Sequence, residues 1–246
     1  FILFNVTKAP FNNDKVRRAI SMALSRAEIC KTVGDDYEAS TQFIAKYMLS
    51  NLGTGKKFSD ESGEMVTEDI AKAKSLLAEA GYPDGAGFPT VTYNYPNNEQ
   101  DKLIAQAIQA QLKSALNINV ELNGMESQVC VSERKSGNFD MTRHNWTADY
   151  DDAMDYLLMW TSTSGLNDAG IKDDDYDKLC DDATAELDET KRNTIMHDAE
   201  KLLVTDKAYV APLATNKTIC LLNPKYTGYS FDSAGQILLK FIKAAE

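Results

Sequence analysis

Apolar positions along the chain recur with two different periods. Between Asn12 and Ser25, the residues Val16, Ala19, Ile20, Ala23 and Leu24 share one face of a helix. Asn12 or Asn13 is placed to cap it, with Asp14 in the first turn, where the helix dipole favours an acid. A short helix is expected over 26–34, ending near Gly34, and residues 35–66 read mostly as surface loop. Thr67, Glu68 and Asp69 open a helix that runs to Ala80, with Gly81 and Pro83 as its stop signals. Thr90–Tyr95 reads as a strand, 98–116 as a long helix, Ile118–Leu122 as a strand, 126–136 as a helix, and 139–145 as a third strand entered through Gly137. Further helices are expected over 150–162, 173–186 and 188–204, followed by a strand-like tail from 209 with turns at Pro224 and Gly228. The opening run Phe1–Val6 has the look of a buried strand, which predicts that the chain starts inside a longer protein.

Strand, helix, strand, helix, strand through the middle predicts an α/β lobe with helices packed on a mixed sheet. A length of 246 residues permits one large domain or two small ones. The formal charge of −11 argues against nucleic-acid binding and against a purely electrostatic membrane site, because both need surplus Lys and Arg. No signal-peptide pattern or lipidation cysteine stands near the start, and no apolar run is long enough to span a bilayer. Cys30, Cys130, Cys180 and Cys220 include no C-x-x-C pair; they allow three full pairings, and they read as buried free thiols. His144 and His197 lack carboxylate or thiol neighbours at metal-ligand spacing and read as structural. Asp173-Asp174-Asp175 reads as a solvated helix start, not as a calcium loop.

Gly137 through Tyr150 is the informative stretch. A strand there delivers Trp146 and Asp149 to its C-terminal end, the place where open α/β sheets bind ligands. Trp146 offers an amphipathic wall, and Asp149 a carboxylate for a cation such as a peptide ammonium. Equally, Trp146 reads as core and Asp149 as the cap of a following helix.

Four stretches, in this order, resemble the oligopeptide- and dipeptide-binding receptors of ABC importers: Ala9–Ile20 with Ala23–Arg26, Ala73–Gly85, the helix from 98 through Leu116–Val120, and Phe139–Asp140 through Trp146–Tyr150. The resemblance implies the C-terminal lobe of a periplasmic-binding-protein-like type II fold, a mixed sheet with helices on both faces. Residues 1–222 would form that lobe, with Phe1–Val6 as one hinge strand and 213–222 as the returning strand; residues 223–246 would pack on a first lobe. It implies that Asp149 receives the peptide ammonium, that Trp146 lines the cleft, that Arg143 stands near the C-terminal side of the peptide, and that Asn94, Asn145, Thr147 and the backbone of 142–147 face it. It further implies a peptide ligand, ABC permease subunits as partners, an extracytoplasmic setting reached through a lipid anchor or secretion, and no cofactor, metal or catalysis. Departures are visible too. Asp101, beside Lys102, stands where several family members carry a histidine for the peptide carboxylate, and an aspartate there would repel a carboxylate. Leu213-Ala214-Thr215-Asn216 replaces a tyrosine-rich segment, and Glu126-Ser127 replaces a frequent Glu-Trp. Alternatives are another solute in the same fold (a metal chelate or an oligosaccharide), a hydrolase using Asp149 with His144, and an adhesion or signalling module that reuses the fold.

Overall fold

The computed structural model describes residues 1–51, 55–217, 220–231 and 237–245. In chain order the elements are β1 (Ile2–Phe4), α1 (Asp14–Ala23), α2 (Arg26–Lys31), β2 (Tyr37–Ala39), β3 (Leu49–Asn51), β4 (Lys56–Lys57), α3 (Phe58–Ser62), α4 (Ile70–Glu79), β5 (Val91–Pro96), α5 (Glu99–Leu116), β6 (Val120–Met125), α6 (Ser127–Lys135), β7 (Met141–Arg143), α7 (Met154–Leu157), α8 (Asp174–Ala185), α9 (Glu189–Lys201), β8 (Val210–Ala211), β9 (Ala214–Asn216), β10 (Tyr226–Thr227) and β11 (Lys243–Ala244). Among the described residues, no helix is long and apolar enough to cross a membrane.

The main sheet is mixed, in the order β6-β5-β7-β1-β8. β5 is parallel to both β6 and β7, while β1 runs antiparallel to β7 and to β8. Alternation along β1 divides the core. Ile2 and Phe4 join a cluster with Ile20, Leu77 and Ile108, on the side of α1, α4 and α5; Leu3 joins a second cluster with Trp160, Tyr176 and Leu203, on the side of α7, α8 and α9. Both faces are therefore covered, as the sequence predicts.

Side-chain caps fix several helix starts. The Asn13 carboxamide accepts from the Lys15 N–H at 3.0 Å, and one Asp173 oxygen accepts from the N–H groups of Asp175 and Tyr176, both at 3.1 Å. The helix expected from Thr67 begins at Ile70, because Asp69 is its cap and Glu68 turns instead to Arg26. The strand-like tail expected from 209 divides in two, and the partner of β1 lies before the expected 213–222, at Val210–Ala211; residues 218 and 219 of that range lie outside the described residues. β8 pairs with β1 through Ile2↔Ala211 and Leu3↔Val210, whereas Ala214–Asn216 pairs with β2. Pro212, which has no N–H to give a ladder, stands at the break, and its carbonyl accepts from Arg26 Nε at 2.9 Å. Farther on, β10 pairs with β11, and Tyr226, Phe231, Ile237, Leu239 and Phe241 stay exposed. Cys30, Cys130 and Cys180 are buried free thiols, whereas Cys220 is half-buried.

Candidate functional site

Strands β5, β6, β7 and β8 point the same way, and β1 runs against them. One edge of the sheet therefore collects the segments after β7 and β8, the start of α5 after β5, and Phe1 at the start of β1. A cavity of about 660 Å³ opens at that edge. Arg143 to Ala148 and Asp101 line it from the sheet, Leu213–Lys217 from beyond β8, and Phe43, Tyr47 and Met48 from the segment before β3. This is the carboxyl-end position at which open α/β sheets hold ligands.

Two charges meet inside it. Asp101, in the first turn of α5, is buried. Its Oδ1 lies 2.9 Å from Arg143 Nε, a contact that is ionic more than a well-aligned hydrogen bond. Its Oδ2 accepts from Asn98 Nδ2 at 2.7 Å, and the Asp101 N–H donates to Asn98 Oδ1 at 2.9 Å, so Asn98 caps the helix and its side chain also holds the Asp101 carboxylate. Arg143 Nη1 donates to Asn145 Oδ1 at 2.5 Å.

Past β7 the chain forms a loop tied down by acids. Asp155, itself buried, accepts from Trp146 Nε1 at 2.7 Å and from the Asp149 N–H at 3.1 Å, both on Oδ2. Asp152 takes a bidentate Arg192 at 2.8 and 3.0 Å. Asp151 Oδ1 faces the Leu49 N–H at 3.5 Å. These ties replace the long helix expected over 150–162 with the single turn of α7 followed by a 3₁₀ turn at Leu158–Trp160.

The opposite wall depends on a distant residue. Phe43 packs edge-on to Phe1 at 5.0 Å and to Tyr156 at 5.7 Å. The N–H groups of Phe43 and Ile44 both donate to Glu200 Oε1, at 2.8 and 2.9 Å. Glu200 is fully buried, and its Oε2 has no hydrogen-bond partner among the described residues. Burial pushes its carboxyl up to about 7, only partly offset by the two N–H donors.

Five of the residues expected at the site come together here: Arg143, Asn145, Trp146, Thr147 and Asp101 line the cavity. Asn94 does not. Its side chain donates to the Asn138 carbonyl at 3.2 Å and accepts from Asn123 at 3.1 Å, which makes it part of the sheet's internal polar lattice. Asp149 is exposed on the loop and is not among the lining residues, while Asp151, two positions on, is. A His144–Asp149 hydrolase pair finds no geometry. His144 is buried, with Nδ1 accepting from the Asn145 N–H at 2.8 Å and facing Arg134 Nη1 at 3.2 Å. Burial first, then Arg134, pushes its imidazole down to about 2, so it stays neutral. His197 stacks on Phe58 at 3.9 Å, a packing role. Sequence reasoning missed Phe43, Tyr47, Asp151, Asp155, Glu200 and Lys217. The only signal for the first two was the apolar content of an otherwise polar stretch.

A mixed sheet covered on both faces, with a roomy cavity at its carboxyl edge, defines a ligand-holding lobe of the type II periplasmic-binding-protein class. The chain belongs to the bacterial extracellular solute-binding proteins, family 5, whose middle region is matched by residues 1–168. It is 30% identical to the dipeptide-binding protein DppE of Bacillus subtilis, over 98% of this chain and 44% of DppE. The crystal structure of a periplasmic oligopeptide-binding protein, OppAIV, from Borrelia burgdorferi superposes with a TM-score of 0.81 at 28% identity, over 100% of this chain and 48% of that one. The Haemophilus influenzae OppA complex with RPPGFSPFR gives a TM-score of 0.81 at 27% identity, over the same shares, 100% and 48%. The chain thus spans less than half the length of these three relatives.

Proposed function

We propose that this chain forms the C-terminal lobe of an extracytoplasmic substrate-binding protein that captures peptides between two lobes and delivers them to the permease subunits of an ABC importer. The observation that carries the proposal is the cavity at the carboxyl edge of the sheet, floored by the 143–148 segment and walled by aromatics. Homologues named for dipeptide and oligopeptide binding, one of them solved with a nonapeptide, support a peptide ligand. In this reading β1 and the β8–β9 segment are hinge strands, and residues 223–246, among which Tyr226, Phe231, Ile237, Leu239 and Phe241 are exposed, pack on the first lobe. The protein works outside the cytoplasm, at the cell surface through a lipid anchor or in the periplasm. Binding requires neither cofactor nor catalysis; closure of the lobes holds the ligand.

Asp149 is the anchor for the peptide ammonium. Its carboxylate is exposed, its backbone is fixed by Asp155, and Asp151 adds a second negative charge facing the cavity from the same loop. Losing one partner of a desolvated ion pair costs about 3–5 kcal/mol. Asp149→Ala, in the receptor that carries this lobe together with its first, is therefore expected to weaken free-amine peptides by about a hundredfold or more. N-acetylated peptides bind weakly to the wild type and change little. Calorimetry with matched free and acetylated peptides decides. Equal affinities in all four combinations refute the assignment, and the same loss in Asp151→Ala alone moves the anchor to Asp151.

A further inference from the structure

Four charged side chains line the cavity: Asp101, Arg143, Asp151 and Lys217. Lys217 is exposed and Asp151 half-buried. Asp101 and Arg143 are the inner pair, with side chains only 5% and 22% exposed. Both oxygens of Asp101 are committed, one to Arg143 Nε and one to Asn98. The carboxylate is thus held between Arg143 and the cap residue Asn98. The guanidinium has five N–H donors. Nε faces Asp101 and Nη1 reaches Asn145, which leaves further N–H donors on a side chain that lines the cavity, with its charge already compensated.

Building on the peptide-binding reading, we propose that Asp101 is a specificity-determining residue. By serving as the resident counter-ion of Arg143, it makes this part of the cavity a reader of neutral acceptors, such as peptide carbonyls, and not of a ligand carboxylate. A carboxylate brought to Arg143 would set two anions on one guanidinium in a desolvated site, or strip a buried Asp101 of its only cation among the described residues. Either outcome opposes binding. A neutral carbonyl meets the same donors without that opposition.

The test compares alanine peptides of two to five residues, each as the free acid and as the C-terminal amide, on the two-lobed receptor. The wild type is expected to bind both forms within about threefold at every length. Asp101→Asn keeps the size of the side chain and an acceptor for the cap, and frees the charge of Arg143. It is expected to shift the acid-to-amide ratio toward the acid by about tenfold or more at one length at least. Adding Arg143→Gln to that variant should return the ratio to that of the wild type, the signature of a coupled pair. A wild type that already prefers acids tenfold through Arg143, or a ratio unmoved by Asp101→Asn at every length, overturns the inference and leaves the peptide reading standing. If no peptide binds any variant, the peptide reading itself fails, and the inference with it. Should Asp101→Asn not fold, Arg143→Gln alone decides: a loss shared by acid and amide supports the proposal, and a loss confined to the acid refutes it.

Discussion

Two aspartates flank the strand end that leads into the loop, and they are used in opposite ways. Asp101 is buried, joined to Arg143 and to the cap residue Asn98, and holds α5 against β7. Asp149 is exposed, and only its backbone N–H is tied, to Asp155. The same functional group is a structural element at one position and a free charge at the other. Sequence type is identical in the two cases; what separates them is whether the carboxylate is already neutralised when a ligand arrives.

The sharpest way to break this contrast is to exchange the expected effects. Asp101→Ala leaves Arg143 without its counter-ion and should destabilise the chain by about 3 kcal/mol in urea unfolding. A loss below about 1 kcal/mol would show that the Asp101–Arg143 pair does not hold the fold. Glu200 is a third case, a buried acid with no cation paired to it among the described residues. Its folded pKa, raised from 4.5 to about 7, means the native state holds the proton more tightly than the unfolded chain does. Stability from this group is present below pH 4.5 and is lost as pH rises through about 7. Glu200→Gln should therefore gain on the wild type by about 3 kcal/mol between pH 4 and pH 8, because each tenfold tighter hold on the proton is worth about 1.4 kcal/mol. A difference independent of pH would show that Glu200 is stably ionised. Asp155→Ala removes two hydrogen bonds and should cost about 2 kcal/mol, with altered Trp146 fluorescence and weaker ligand binding. An unchanged indole signal would mean that Asp155 does not hold the loop. Smallest of all, Asp149→Ala should change stability by less than about 0.5 kcal/mol while it weakens ligand binding, the reverse of Asp101→Ala.

The helices and the strand–helix–strand middle were legible because they depend on local patterns: Asn13 and Asp173 act as the caps their positions suggest. The loop at 145–153 was not. Its acids and apolar residues repeat at helical spacing, but Asp155 bonds back to Trp146 and Asp149, and Arg192 draws Asp152 away. Side-chain pulls from outside a segment leave no trace in its own periodicity. The 43–48 wall was hidden for a similar reason, since Phe43 and Ile44 are held by Glu200, far along the chain. Asn94 misled because its strand is buried on both faces: Tyr93, Asn94 and Tyr95 are all inside, so alternation does not tell a cleft residue from an internal one. Arg143 and Asp101 were each picked out, but their union was not, because pairing across two elements is settled only by their packing.

The place of β1 in the sheet sets a timetable for synthesis. Leu3 pairs with Thr142 on one side and Val210 on the other. A ribosome adding about 5–20 residues per second takes on the order of 10–40 s to pass from the first of these residues to the last. β5, β6 and β7 can join as a parallel group during that interval, but Ile2, Leu3 and Phe4 remain without the full pair of neighbours that buries them. Throughout that time the nascent chain carries an apolar, strand-forming segment, and the sheet closes only when β8 is made.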